Sequence, residues 1–197
     1  MQTLGVVLAG GRSSRMGQDK ALLEINELSL LARAIKILSG TSVDEVVVSR
    51  NDGHRGHIAD LIQNKGPLSG IHAVANRFVQ HHLLILPVDV PLIEIEALEF
   101  MLTVGRKQNL NVSIAGHNLP LYLRNTPTTR IALDYTLRCD SCYSVGQFCQ
   151  HFPMQRIQCQ NSISLLNTNT PADWQMAKEF LVNNSTLISG EFAHGAC

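Results

Sequence analysis

The sequence predicts an α/β layer fold with a mostly parallel central sheet. Three apolar runs carry that prediction: Leu4 to Ala9, Val43 to Ser49 and Leu83 to Val88 lack strict polar alternation, and helical patterns separate them. Strands that read this way are buried on both faces, and parallel neighbours need a crossover between them. Each run also ends where glycines or polar residues begin, and in open α/β sheets ligands bind outside the carboxyl ends of the strands.

Taken in order, the first strand, Leu4 to Ala9, is followed by a glycine-rich turn. Ser29 to Leu38 then places Leu30, Leu31, Ala34, Ile35 and Leu38 at helical spacing, with Gly40 just past the end as a stop. After the second strand, Gly66-Pro67 opens a helix through Phe78, since proline suits a first helical turn. The third strand is followed by a helix over Ile95 to Lys107. Beyond Asn109 the pattern gives short strands near Val112 to Ala115, Leu121 to Leu123 and Gln155 to Cys159, and helices near Thr126 to Arg138 and Ala172 to Val182. These complete the same sheet and wall one side of its cleft. The expected organisation is one domain over 1–182 and a loosely ordered tail over 183–197.

Composition narrows the function. Sixteen basic residues balance sixteen acidic ones, so no broad cationic surface for nucleic acid or anionic membrane is expected, and any anion must be met locally. No stretch reaches the roughly 18 apolar residues of a membrane span, and the first apolar run is too short for a signal-peptide core. A cytoplasmic protein is the expectation. The five cysteines are an odd number clustered late, which fits reduced thiols, and the Cys139/Cys142 spacing lacks the second pair a structural zinc needs. The eight histidines, among them His54 and His57, show no metal-ligand spacing and are expected as turn or solvated residues.

The chemistry is expected at four places. Leu8 to Lys20 reads Leu-Ala-Gly-Gly-Arg-Ser-Ser-Arg-Met-Gly-Gln-Asp-Lys: Gly10 and Gly11 let backbone approach a ligand, and Arg12, Arg15 and Lys20 supply charge for phosphates. A glycine-rich turn with solvated cations is the plainer reading of that segment alone. Asp89, in Pro-Val-Asp-Val-Pro at the mouth of the third strand, is a candidate Mg²⁺ ligand, or else a turn cap. Gly66-Pro67-Leu68-Ser69-Gly70 starts a helix whose free N–H groups can meet an anion. Asn169, in Asn-Thr-Asn-Thr-Pro, offers a neutral oxygen to the same metal, with Thr170 as the cap of the helix opened by Pro171. Charge and alignment are what phosphoryl chemistry needs, so no protein nucleophile is expected.

These four segments, in this order over Leu8 to Asp173, closely resemble the molybdenum cofactor guanylyltransferases of the nucleotidyltransferase superfamily. The resemblance implies a Rossmann-like three-layer fold that binds Mg²⁺ and GTP and transfers GMP onto the terminal phosphate of molybdopterin, releasing pyrophosphate. It implies nucleotide contacts from Leu8, Ala9, Gly10, Gly11, Lys20, Asn51, Gly66, Pro67, Leu68 and Asp89. Catalysis would fall to Arg15, Lys20 and Asp89, and metal binding to Asp89 and Asn169. Partners implied are molybdopterin-supplying and molybdoenzyme-maturation proteins. Gly10, where related cytidylyltransferases look like Leu-Ala-Ala-Gly, points to GTP over CTP.

The chain departs from the family's pattern in three places. The segment from Asn51 to Gly66 looks shortened, with Asp60 the acid that could stand in before Gly-Pro-Leu. Leu119-Pro120 replaces a His-Pro, and Cys139 to Ser144 replaces a basic segment. The rival readings are a same-fold nucleotidyltransferase with another acceptor, of cytidylyl or sugar-phosphate type, and a non-catalytic GTP-binding module that delivers cofactor.

Overall fold

The computed structural model describes residues 2–10, 19–138, 144–159 and 161–190. At its centre lies β1 (Thr3–Leu8), six residues with every side chain buried. It pairs in parallel with β4 (Glu45–Ser49) on one side and β6 (His82–Pro87) on the other. The seven-stranded sheet has the order β5-β4-β1-β6-β8-β7-β9, with β5 (His57–Ile58), β7 (Asn111–Ile114), β8 (Leu121–Leu123) and β9 (Met154–Ile157). Only β8 runs against its neighbours, pairing antiparallel with both β6 and β7. A separate hairpin of β2 (Glu24–Ile25) and β3 (Leu28–Ser29) turns through Asn26 and Glu27, both at positive φ. That is the geometry of a tight two-residue hairpin turn.

The alternation of β1 sorts the core into two layers. Leu4, Val6 and Leu8 face α2 (Pro67–Arg77), α4 (Pro127–Arg138) and α5 (Val145–Cys149), where they meet Leu68, Ile71, Val74, Leu133 and Phe148. Val7 and Ala9 face α1 (Leu30–Ser39) and α3 (Ile95–Gln108), where they meet Ala34, Leu38, Leu98, Met101 and Leu102. Helices on both faces of a mainly parallel sheet make the expected three-layer fold. Each of the fully buried leucines contributes roughly 1.5–3 kcal/mol by leaving water.

Local signals explain most boundaries. Ser29 accepts from the Ala32 N–H at 3.1 Å and starts α1. Gly40 does stop α1, yet its φ of −81° is open to any residue. An added Cβ would lie 2.7 Å from Ile95 Cδ1 of α3, the tip of a flexible side chain that could shift aside. Thr170 and Asp173 form a reciprocal cap, Thr170 N–H to Asp173 Oδ2 at 2.8 Å and Asp173 N–H to Thr170 Oγ1 at 3.2 Å, which opens α6 (Pro171–Gly190). α6 runs past Val182, where the expected helix ended. No helix among the described residues is long and apolar enough to cross a membrane.

Candidate functional site

The carboxyl ends of β1, β4 and β6 open into one cleft of about 840 Å³. Ala9 N–H bonds to Ser49 O at 3.0 Å and Val88 N–H to Leu8 O at 3.1 Å, so the three strand mouths stay in register as they leave the sheet. Of the residues expected to act, Leu8, Ala9, Gly10, Lys20, Asn51, Gly66, Pro67, Asp89 and Asn169 all line this cleft. Leu68 does not. Its side chain lies fully buried in the core layer that α2 shares with β1, among Leu4, Val6, Ile71 and Val74. Gly11, Arg12 and Arg15 lie outside the described residues, as do Cys139 and Cys142.

Lys20 begins a short 3₁₀ turn, Lys20–Leu22, capped by Asp19, whose Oδ1 accepts from the Ala21 N–H at 3.1 Å. Its Nζ donates to Asn169 Oδ1 at 2.8 Å. Asp89 shares that corner: burial raises its pKa above the ordinary carboxylate value, and the charge of Lys20 opposes the rise. Thr168 fixes their relation, since its N–H and its hydroxyl both donate to the Asp89 carbonyl, at 2.8 and 3.3 Å. A half-withdrawn carboxylate costs solvation that a cation would restore. The donor set suits a hard divalent ion: one carboxylate and one amide oxygen, with room for water and phosphate oxygens. Among the described residues no cluster of three or more His, Cys, Asp or Glu could hold a metal by itself. Such an ion would therefore depend on the substrate for part of its shell.

Opposite that corner stand Asn51 and Asp60. Asn51 Nδ2 donates to Asp60 Oδ2 and Asp60 N–H to Asn51 Oδ1, both at 2.8 Å, and burial raises the Asp60 pKa. An acid thus does reach the cleft from the shortened segment. β5, which the pattern did not suggest, brings it there by pairing with the end of β4.

Sequence reading missed Arg50. Its guanidinium is 8% exposed and forms an ion pair with Asp19, donates to Asp52 Oδ2 at 2.7 Å and reaches the Ala9 carbonyl at 3.3 Å. Asp52 also accepts from the His54 N–H at 3.1 Å and meets His57 Nδ1 at 2.9 Å; these contacts, His57 first, hold its pKa at about 2. Three valines and a serine ending in an arginine were the available signal.

The glycines differ in purpose. Gly66, the residue before α2, sits at φ 66°, ψ −155°, a region that L side chains avoid. Gly70 lets α2 approach β4, because a Cβ there would overlap the Ser49 hydroxyl. Gly10 has neither reason: a Cβ would meet Asn51 Nδ2 at 3.8 Å and Ser49 O at 3.9 Å, which is ordinary contact. Among the described residues nothing requires Gly10 to be bare, and Gly10 itself lines the cleft.

The profile of the MobA-like NTP transferase domain matches residues 5–136. A probable molybdenum cofactor guanylyltransferase of Pelotomaculum thermopropionicum is 30% identical over 203 residues, 94% of this chain and 97% of that protein. A molybdenum cofactor guanylyltransferase of Xanthomonas euvesicatoria is 35% identical over 178 residues, 86% of this chain and 91% of that one. Among solved structures, the molybdopterin-guanine dinucleotide biosynthesis protein A of Archaeoglobus fulgidus superposes with a TM-score of 0.76 at 19% identity, over 92% of this chain and 100% of that one. The shared fold is a three-layer sandwich on a mostly parallel sheet.

Proposed function

The chain belongs to the MobA-like NTP transferase family and is a nucleotidyltransferase, and from that premise we propose that it transfers GMP from GTP to the terminal phosphate of molybdopterin. An acceptor phosphate oxygen attacks the α-phosphorus of GTP, a new phosphoanhydride forms, the bond to the β-phosphate breaks and pyrophosphate leaves. The observation that carries this reading is the corner where Lys20, Asn169 and Asp89 meet at the mouth of the central strands.

Three features of the chain serve the reaction. Lys20 supplies a positive charge where the leaving phosphates develop negative charge. Backbone at Ala9 and Gly10, with the amino-terminal turn of α2 beyond Gly66, lines the nucleotide's path across the strand ends. Asn51 and Asp60 offer hydrogen-bond acceptors and a donor on the opposite wall, suited to the sugar or base. The bare Gly10 leaves room for the larger, purine base, which favours GTP over CTP.

Asp89 and Asn169 would hold Mg²⁺; the Asn169 oxygen has two lone pairs and can serve Lys20 and a metal together. When bound, the ion offsets charge on the phosphate oxygens. A reaction that consumes GTP suits the cytoplasm, and molybdopterin-supplying and molybdoenzyme-maturation proteins are the partners this reading implies.

Purified protein with GTP and magnesium, with and without molybdopterin, tests the proposal through pyrophosphate. Release only when molybdopterin is present is the expected result. Release with a sugar phosphate instead would move the acceptor, and tight GTP binding without turnover on any acceptor would overturn the reading.

A further inference from the structure

The geometry points to Arg50 as a positioning residue that acts on the nucleotide through Lys20. This inference rests on the nucleotide-binding reading of the cleft. A buried guanidinium is costly unless its fork is filled, and here every arm has a partner. One arm, Nη1, reaches the Ala9 carbonyl at 3.3 Å, on the backbone that leaves the central strand. Nη2 holds Asp19, and Nε meets Asp52 at 2.7 Å. Asp19 in turn caps the 3₁₀ turn whose first residue is Lys20.

The linkage therefore runs from β1, through the Arg50 fork and the Asp19 carboxylate, to the turn that carries the Lys20 side chain. At its far end Lys20 Nζ lies 2.8 Å from Asn169 Oδ1 and its charge acts on Asp89. Arg50 lines the cleft, but it is 8% exposed and each of its three guanidinium nitrogens already has a partner, which leaves it little freedom to bind ligand directly. Its planar fork spans two carboxylates and a carbonyl at once, a task a lysine ammonium cannot repeat with the same geometry.

The test is a double-mutant comparison on the full chain, reading the dissociation constant for GTP with magnesium, then KM and kcat. Arg50→Lys keeps the charge and loses the fork; we expect GTP affinity to fall on the order of tenfold to a hundredfold, the scale of a misplaced catalytic group. In a Lys20→Met background the same change should add almost nothing, because the group Arg50 positions is already gone. Asp19→Asn, on a more exposed side chain, provides the same comparison should Arg50→Lys fold poorly.

Losses that simply add, or full rescue of GTP affinity by lysine, would overturn the positioning role. A lowered melting temperature with unchanged GTP affinity would reduce Arg50 to a stabilising residue and overturn it as well. Wild-type protein that binds no GTP would remove the nucleotide reading itself, a different and separately visible failure.

Discussion

Lys20 Nζ donates to Asn169 Oδ1 at 2.8 Å across 149 residues of sequence. Both line the same cleft as Asp89, so on the proposed reading the charge for phosphates and the donors for a metal are held by one contact between distant parts of the chain.

Asp89→Asn should separate catalysis from folding. The carboxylate's burial raises its pKa, so a neutral amide of equal size is no burden to the fold. Pyrophosphate release should fall on the order of 10²–10³-fold, the scale of losing a charge-stabilising group, with the melting temperature held or raised. Activity retained at limiting magnesium would contradict the role given to Asp89.

Thr168→Val probes the strap beneath that site. The methyl replaces the hydroxyl that donates to the Asp89 carbonyl at 3.3 Å, while the main-chain N–H bond at 2.8 Å remains. A loss of about 1 kcal/mol in chemical denaturation is expected for one buried hydrogen bond. kcat should drop severalfold with KM for GTP little changed.

Gly10→Ala should leave stability alone, since among the described residues the added methyl finds only ordinary contacts at 3.8–3.9 Å. GTP affinity should fall, and the preference for GTP over CTP should narrow. Titrating both nucleotides against both proteins checks this. Equal discrimination before and after would remove Gly10 from base selection.

Acid should weaken the fold through His82. This imidazole is 9% exposed and its Nδ1 accepts from the Asn125 N–H at 3.1 Å, a role open only to the neutral ring. Burial first, then Arg124, lowers its pKa below the usual 6.5. The unfolded state therefore takes up a proton before the folded one does. Its stabilising contribution is complete above pH 6.5 and is lost as pH falls toward the folded pKa, at up to about 1.4 kcal/mol per pH unit. Urea midpoints at pH 7.5 and 5.5 should differ, and His82→Gln should reduce the difference.

The central strands were legible because β1, β4 and β6 are continuous apolar runs, and the ends of those runs located most of the cleft. What escaped has physical reasons. β2, β3 and β5 are two residues each, too short to show a period. β8 was visible as a strand, but its antiparallel direction depends on pairing with β6 and β7 and leaves no local mark. Leu68, expected at the nucleotide from the Gly-Pro-Leu string, keeps its side chain in the core and outside the cleft lining, a burial that the string does not reveal. Arg50 looked like any polar residue after a strand, since a buried cation is revealed only by the partners that surround it.

Thr168 and Asn169 lie well beyond the residues 5–136 that match the family profile, yet they fasten Asp89 and Lys20. During synthesis the ribosome delivers the glycine turn, Asp89 and α2 long before it delivers this clasp. A chain ending short of residue 169 would therefore lack both contacts, the Thr168 strap on Asp89 and the Asn169 acceptor of Lys20, so on the proposed reading the cleft is completed only by the last part of the sequence.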